Sequence, residues 1–419
     1  MNCIPLSAKV VRILFFCCAI IATSGCVQDV DNANPEYLPL NDSEYPYAGL
    51  PRLVIETENL SEIRDTETYK KAYFQIYGKH ASETEVIPLQ MRGRGNASFK
   101  MYKYSYKLKF NEKISLFGFP KDKEWNLIAN AADKSMLMNF ITFKLSKWLG
   151  SDYEPRATFV ELYLNRNYLG VYLLTEQIKV SKNRVDIPKE GYSFLLEKSN
   201  KEDSLKTHIK TKQHNLFVIR SPKEPTALQT DSLLKHFNHW ESYLEKGKFQ
   251  SPKAIGEWMD LDSYFRMYWI QEFSKNLDGA FKRSIFLTWQ ANDPIKFGPV
   301  WDFDMAYGNS EYESLQATSG WHVKKSGWNK YILKDSAVWQ EAVQYWKQKR
   351  PYFEMATDSL EAYYKMLKKA SGNEFKRWPV LGSDETWPLK GNYESYHEAV
   401  NFLKDWISDR IKWIDENAR

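Results

Sequence analysis

Three short groups of polar residues in this sequence have the types and spacing that chemistry on a charged substrate requires. The most informative is Gly298-Pro299-Val300-Trp301-Asp302-Phe303-Asp304, where two acids stand two residues apart after an apolar run. Alternation along a strand would place both carboxylates on one face, where they repel each other unless a cation lies between them. Carboxylate oxygens are ligands that Mg²⁺ prefers. The pair therefore predicts a site for one hard divalent cation, and the alternative is two solvated acids on a loop.

The second group is Asn276-Leu277-Asp278-Gly279, which follows a predicted helix over Asp262–Lys275. A carboxylate on a loop after a helix can act as a general base or bind a cation. The alternative is an ordinary helix end, with Asn276 in the left-handed conformation and Asp278 in the turn. Taken by themselves, these residues favour the helix end.

The third group is Arg92-Gly93-Arg94-Gly95-Asn96. Glycines let the backbone approach a ligand closely, and guanidinium groups bind anions through paired hydrogen bonds. The group therefore fits an anion site, although a charged surface turn is the interpretation that these residues favour in isolation.

The elements that must position these groups change character near residue 225. Residues 51–225 contain short β-rich runs, and the clearest is 104–110, which alternates so that Lys107 and Lys109 share one face. Two further runs on either side of Asn165-Arg166-Asn167-Tyr168 predict a hairpin. Residues 226–419 are predicted to be mainly helical. We expect an α+β fold with a β-rich N-terminal half, a helix-rich C-terminal half and a site at their junction.

The helical segments follow from apolar spacing and from stop signals. Gly150 ends the first of them. The predicted helices are Met136–Leu149, Thr230–Lys246, Asp262–Lys275, Ser336–Met366 and Tyr396–Glu416.

The N-terminus has the pattern of a targeting segment. Residues 1–25 carry two basic residues and a short apolar run, and they lead into Gly25-Cys26. That order is typical of a signal peptide, and Gly-Cys resembles the cleavage site of a bacterial lipoprotein, with Thr23 where Leu is usual. We expect cleavage before a lipidated Cys26, with an ordinary signal peptide cut elsewhere as the alternative. Residues 26–50 are predicted to be a flexible tether. The protein is then expected in the bacterial cell envelope, at the outer membrane or surface, held to the membrane by its lipid anchor.

Composition excludes several classes of protein. The formal net charge is only +5, from 58 Lys and Arg against 53 Asp and Glu, so no nucleic-acid partner is expected. All four cysteines lie between Cys3 and Cys26, which excludes a disulfide scaffold or a zinc–thiolate site in the rest of the chain. His236 and His239 are close in sequence, but no carboxylate follows at ligand spacing, so a zinc hydrolase is disfavoured.

Taken in order, these groups resemble the CotH family of spore-coat-type atypical protein kinases, from about residue 51 to about residue 310. The resemblance rests on the ordered set more than on any single motif. Its main landmarks are Arg92-Gly93-Arg94-Gly95-Asn96, Tyr106-Lys107-Leu108-Lys109, Trp125-Asn126-Leu127-Ile128-Ala129-Asn130, Asp133-Lys134-Ser135, Asn139, Glu161-Leu162-Tyr163-Leu164-Asn165, Glu176-Gln177-Ile178, Asn276-Leu277-Asp278 and Gly298-Pro299-Val300-Trp301-Asp302-Phe303-Asp304.

The resemblance implies a remote, two-lobed protein-kinase-like fold that binds ATP with Mg²⁺ or Mn²⁺. It implies transfer of the γ-phosphoryl group to Ser or Thr of a cell-envelope protein. Positioning and charge neutralisation dominate such chemistry. The roles implied by motif are the catalytic acid Asp278, the metal-binding residues Asp302, Asp304 and Asn276, and the nucleotide-binding residues Arg94, Asn96, Lys107 or Lys109, and Glu176 as the acid that orients the lysine. One departure stands at Arg283, because ordinary kinases place a metal-binding Asn five residues after the catalytic Asp.

A second class of function stays open at this point. The same fold without activity would be a surface-anchored binding protein, an adhesin or a glycan binder. Four closely spaced tryptophans, Trp321, Trp328, Trp339 and Trp346, would suit a glycan surface. Large aromatic side chains usually fill cores, and core packing is the interpretation that we favour for these four.

Overall fold

The computed structural model describes residues 40–79, 82–95, 98–202, 206–247, 251–383 and 393–419. The predicted signal peptide (residues 1–25), the lipidation residue Cys26 and the predicted nucleotide-binding residue Asn96 lie outside the described residues.

The first sheet is a closed barrel built from the first half of the chain. Its strands are β1 (Arg52–Thr57), β2 (Lys70–Tyr77), β3 (Ile87–Arg94), β4 (Ser105–Ile114), β5 (Asp122–Ile128), β6 (Ala157–Leu164) and β7 (Asn167–Glu176). They are ordered β1-β2-β3-β4-β5-β7-β6, and β6 closes the barrel by pairing in parallel with β1. Closure leaves no exposed sheet edge in the barrel.

The barrel forms where alternation in the sequence predicted strands. In β4 the side chains of Tyr106, Leu108 and Phe110 are buried, while Lys109 is exposed on the opposite face. The predicted hairpin is confirmed as β6 and β7, and its turn residues Asn165 and Arg166 both have positive φ. Such a turn matches the twist of the flanking strands.

The second sheet has five strands that come from both sides of residue 225. They are β8 (Ser193–Ser199), β9 (His208–Lys210), β10 (Leu216–Ser221), β11 (Phe286–Gln290) and β12 (Lys296–Phe297). The order is β12-β11-β8-β10-β9, so β8 joins the later pair of strands to the earlier pair. The boundary near residue 225 that the sequence indicated therefore separates strands that belong to one sheet.

Outside the two sheets the described residues form eight α-helices, seven of them after residue 225. They are α1 (Met138–Trp148), α2 (Ala227–Lys246), α3 (Pro252–Gly256), α4 (Leu261–Ser274), α5 (Glu313–Gln316), α6 (Asn329–Ile332), α7 (Ser336–Arg377) and α8 (Tyr396–Asn417). The five predicted helices are thus found, and α7 runs eleven residues beyond its predicted end at Met366. The fold is α+β, with a β-rich N-terminal half and a helical C-terminal half.

Two large apolar cores account for most of the buried side chains. One fills the barrel with residues such as Leu108, Trp125 and Tyr172. The other lies among the helices and the second sheet. Trp328 and Trp346 are each 1 % exposed in that core, Trp339 is buried, and Trp321 packs against them. Core packing of these tryptophans is confirmed.

A buried ion pair joins α7 to the barrel. The Lys103 ammonium lies 2.7 Å from a Glu374 carboxylate oxygen, and both side chains are almost completely buried. The other Glu374 oxygen accepts a hydrogen bond from the backbone N–H of Val171 in β7 at 2.6 Å. Both charges are therefore compensated where the long helix meets the sheet.

Part of the predicted tether is packed on the folded body. Ala48 and Leu50 are buried, and the Tyr45 ring stacks on Tyr168 with ring centroids 4.2 Å apart. The carbonyl of Pro46 accepts a hydrogen bond from the Asn373 side chain of α7 at 2.8 Å. Apolar and aromatic residues explain why this stretch binds to the body. In the part of the chain that the structure describes, none of the helices is both long enough and apolar enough to cross a membrane.

Candidate active site

The loop after α4 holds Asp278 in a short 3₁₀ helix, Leu277–Gly279. Helix α4 ends at Ser274, and the next residue, Lys275, adopts the left-handed conformation with φ of 45°. The sequence had assigned that conformation to Asn276, which instead has φ of −58° and caps the 3₁₀ helix. Asn276 is thereby free to face the neighbouring loop with its side chain.

The Asp278 carboxylate is almost fully buried and forms an ion pair with Arg283. Its Oδ2 lies 2.7 Å from Nε of Arg283, whose side chain is about half exposed. Burial raises the pKa of Asp278, and the nearby Asp302 charge adds to that rise, while the hydrogen bond from Arg283 opposes it. The residue that stands where ordinary kinases have a metal-binding Asn therefore neutralises the candidate base.

Asp302 and Asp304 lie on a loop after β12, not on the strand that the sequence predicted. β12 ends at Phe297, and Asp302 has φ of 71°, which a strand does not allow. The loop is held by its neighbours, since Ser284 Oγ donates to Asp302 Oδ2 at 2.9 Å. The Phe303 N–H donates to the Asn139 side chain of α1 at 2.8 Å. Both carboxylates still reach one pocket.

Asn276 connects the two acidic loops. Its side-chain amide donates to the carbonyl of Asp302 at 3.2 Å, and its side-chain oxygen accepts from the Asp278 N–H at 3.3 Å. Asn276 is 1 % exposed, so these contacts are shielded from water. Its side chain positions both acids, and the metal-binding role that the resemblance implied for Asn276 stays a prediction.

The pocket in front of the acid pair is narrow and carries one arginine. Arg94, Asn130, Asn139, Asp302 and Asp304 contribute to its wall, and its volume is about 30 Å³. That is room for an ion with a water molecule or two, and not for a whole nucleotide. The Arg94 guanidinium lies 4.8 Å from the centre of the Trp301 ring.

The charged groups around this pocket change one another's pKa values. Burial raises the pKa of Asp304 well above its usual range, and the Asp302, Asp133 and Asp278 charges raise it further. Burial lowers the pKa of Arg94, and the Asp302 charge opposes that change. Among the described residues, neither Asp302 nor Asp304 has a Lys, Arg or His within ion-pair distance. Two carboxylates that face one small pocket without a described ion-pair partner fit a hard divalent cation.

The carboxylates alone do not complete a metal site. Within the described ranges, no group of three or more His, Cys, Asp and Glu side chains is placed to hold a metal ion. Mg²⁺ commonly takes one or two carboxylates and completes its octahedron with water and phosphate oxygens. The two carboxylates therefore fit a Mg²⁺ ion whose other ligands are water and phosphate oxygens.

Three predicted nucleotide-binding residues lie away from this pocket. Lys107 on β4 forms an ion pair with Glu124 on β5 at 2.8 Å. Lys109 is exposed, with its ammonium 5.7 Å from the centre of the Tyr69 ring. Glu176, which the sequence offered as a partner for one of these lysines, is bound to Arg156 at 3.0 Å instead. None of the three contributes to the wall of the pocket.

A network of buried hydrogen bonds stabilises the loop that carries Asp278. Arg410 of α8 donates to a Glu272 carboxylate oxygen at 2.8 Å, and both side chains are fully buried. Glu272 also accepts from the N–H groups of His322, Val323 and Lys324 at 2.6–2.9 Å. The His322 ring in turn lies 2.7 Å from the Asn276 carbonyl. Sequence reasoning missed this network because its members are far apart along the chain.

A second buried acid, Glu154, holds the segment that leads to Asp302. One carboxylate oxygen accepts from the Val300 N–H at 3.0 Å, and the other accepts from the Ser146 hydroxyl. Burial raises the pKa of Glu154 to about 8, against a usual value of 4.5. The folded protein therefore binds a proton here more tightly than the unfolded chain does.

This pKa shift predicts a pH-dependent stability. The stabilising effect of the raised pKa is complete below 4.5 and disappears as pH rises through about 8. The loss is at most about 1.4 kcal/mol per pH unit in that window. Glu154→Gln keeps an acceptor for Val300 and should flatten the slope, as measured by urea unfolding at several pH values. An unchanged slope in the variant would assign the pH dependence to other groups.

A family model described as CotH kinase protein matches residues 91–414. The chain therefore belongs to the CotH kinase protein family. The match includes α7 and most of α8, so it extends about a hundred residues past the point near 310 where the sequence motifs end. A comparison with curated proteins gives no match.

Proposed function

We propose that this protein is an atypical protein kinase that transfers the γ-phosphoryl group of ATP, with Mg²⁺ or Mn²⁺, to Ser or Thr of a protein in the cell envelope. One observation carries the proposal: a single buried side chain, Asn276, joins the loop of Asp278 to the loop of Asp302 and Asp304. A kinase requires that pairing, with a proton acceptor beside a metal-binding acid. The two-lobed kinase-like architecture is part of the same proposal.

Each acid has a separate task in the proposed reaction. Asp302 and Asp304 would hold the cation, which would neutralise phosphate charge as phosphoryl transfer proceeds. Asp278 would accept the proton of the acceptor hydroxyl. Arg94 borders the same pocket and would donate hydrogen bonds to the phosphate end of the nucleotide, the only part small enough to enter.

The ion pair at Asp278 must open before this carboxylate can accept a proton. Its carboxylate is engaged by Arg283 at 2.7 Å, which lowers its basicity. Because the Arg283 side chain is half exposed, it can swing into solvent without opening the core. We propose that the incoming acceptor displaces Arg283 and frees the carboxylate.

The alternative proposal is a non-catalytic binding protein, such as an adhesin or glycan binder, on the same fold. The aromatic surface that would favour it is not formed by Trp328, Trp339 and Trp346, since all three are buried. The joint placement of Asp278 and Asp302 supports catalysis.

Calorimetric titration of the full chain with ATP, with and without Mg²⁺, tests the metal site. We expect binding that depends on the cation and that Asp302→Asn weakens by about tenfold or more, because a neutral amide is a poorer ligand for a hard cation. Asp293→Asn, on an exposed turn, is the matched control. Binding of equal strength without Mg²⁺, or in Asp302→Asn, would contradict the assignment.

A further inference from the structure

A second cleft opens beside the loop that carries Asp278. Its volume is about 440 Å³, and it lies between strands β8 to β10 and the segment after the 3₁₀ helix. Phe281 and Lys282 contribute to its wall, and the Lys282 N–H donates to the Asp278 carbonyl at 3.3 Å. Part of the cleft wall is therefore formed by the segment that directly follows the candidate catalytic loop.

The wall of this cleft is positively charged. Lys198, Lys210, His214, Lys282 and Glu202 carry its ionisable groups. Lys210 and Glu202 neutralise each other at 2.7 Å. Among the residues of this wall that the structure describes, the remaining ionisable groups are all basic, so we call this feature the basic cleft.

Lys198 is the most informative residue of the basic cleft. It is 5 % exposed, and its ammonium lies 5.7 and 5.6 Å from the centres of the Phe217 and Phe281 rings. Its hydrogen-bond acceptor is the carbonyl of Ser199 at 3.0 Å. Among the described residues no carboxylate lies within ion-pair distance of it, although the charge of Glu241 acts on it from farther away.

A buried ammonium without an anionic partner is costly, and buried lysines are normally paired. Burial lowers the pKa of Lys198 to about 8, in keeping with the missing partner. An anion entering the cleft would supply the missing charge and replace lost water contacts.

We propose that the basic cleft binds carboxylate side chains of the acceptor protein, so that the enzyme selects Ser or Thr residues flanked by Asp or Glu. The inference rests on the proposed function and adds a substrate class to it. Its location supports the assignment, because residues next to a reacting hydroxyl must lie next to Asp278. Charge complementarity of this kind gives specificity through differences in affinity.

The test measures binding of labelled peptides to the full chain by fluorescence anisotropy, without ATP. The peptides share one length and one central Ser, and their flanks are Glu, Gln or Lys. We expect the Glu peptide to bind about tenfold or more tightly than the Gln peptide. Added salt should weaken this preference.

Two variants locate the binding. Lys198→Met keeps the apolar stem and should reduce the preference for Glu flanks about tenfold. Lys282→Glu changes an exposed residue, so it should fold normally and also weaken the Glu peptide. Lys404→Glu, exposed on α8, is the matched control. Equal binding of all peptides, or an unchanged preference in both cleft variants, would overturn the proposal. The peptide measurements contain no ATP, so they do not depend on nucleotide binding. Failure of the kinase assignment would show separately, as a lack of ATP binding in the calorimetric titration.

Discussion

Asp278→Asn should lower phosphoryl transfer by about 10²–10⁴-fold, the range that a positioned general base contributes. The amide has nearly the same shape as the carboxylate but cannot accept the proton of the acceptor hydroxyl. Burial already raises the pKa of Asp278, so the folded state tolerates a neutral group at this position. We therefore expect an intact fold and unchanged binding of ATP, with the loss confined to kcat.

The measurement is single-turnover transfer from labelled ATP to an acceptor peptide, with Asp293→Asn as the control. Arg283→Gln provides a second comparison, because it removes the ion pair that engages the carboxylate. If Arg283 restrains the resting base, this variant keeps activity, whereas Asp278→Asn does not. Full turnover in Asp278→Asn would remove this residue from the mechanism.

Arg410→Met should destabilise the protein by about 3–5 kcal/mol, the cost of leaving a buried charge without its partner. Arg410 donates to Glu272 and also to the carbonyls of Thr318 and Gly320 at 2.6 and 2.8 Å. Methionine fills much of the volume and satisfies none of these acceptors. The expected change is large compared with the usual stability of a domain.

Chemical denaturation of the full chain measures this effect. Arg350→Met is the matched control, since Arg350 forms a partly exposed ion pair between α7 and Asp415 at 2.7 Å. Exposed pairs contribute about 1 kcal/mol or less. Similar losses of unfolding free energy in both variants would show that the buried network contributes no more to stability than the partly exposed ion pair.

Local patterns in the sequence predicted the elements well. Alternation identified β4, turn residues identified the β6–β7 hairpin, and Gly150 marked the end of α1. These features depend on neighbours a few residues apart, which the sequence displays directly. The acid pair and Asp278 were also recognisable, because carboxylates beside buried runs are unusual.

The side-chain partners of those residues could not be predicted from the sequence. Lys107 binds Glu124 diagonally across β4 and β5, since the register places Lys109 opposite Glu124. That register depends on the closed barrel. Arg283 turns back onto Asp278 through loop geometry that residue types do not specify. Ser284 and Glu154 hold the Asp302 segment from separate elements, so neither stands out in its own stretch of chain.

The support of the Asp278 loop by α8 has a consequence for the order of folding. Glu272 and Arg410 are 138 residues apart in sequence, so their contact closes a long loop. Closing such loops is entropically expensive, and contacts of high sequence separation slow folding. A ribosome-bound chain that has made α4 but not α8 has the acids of the site without the group that fixes their loop. The buried support of the Asp278 loop is therefore acquired late in biosynthesis, after the barrel strands are already complete.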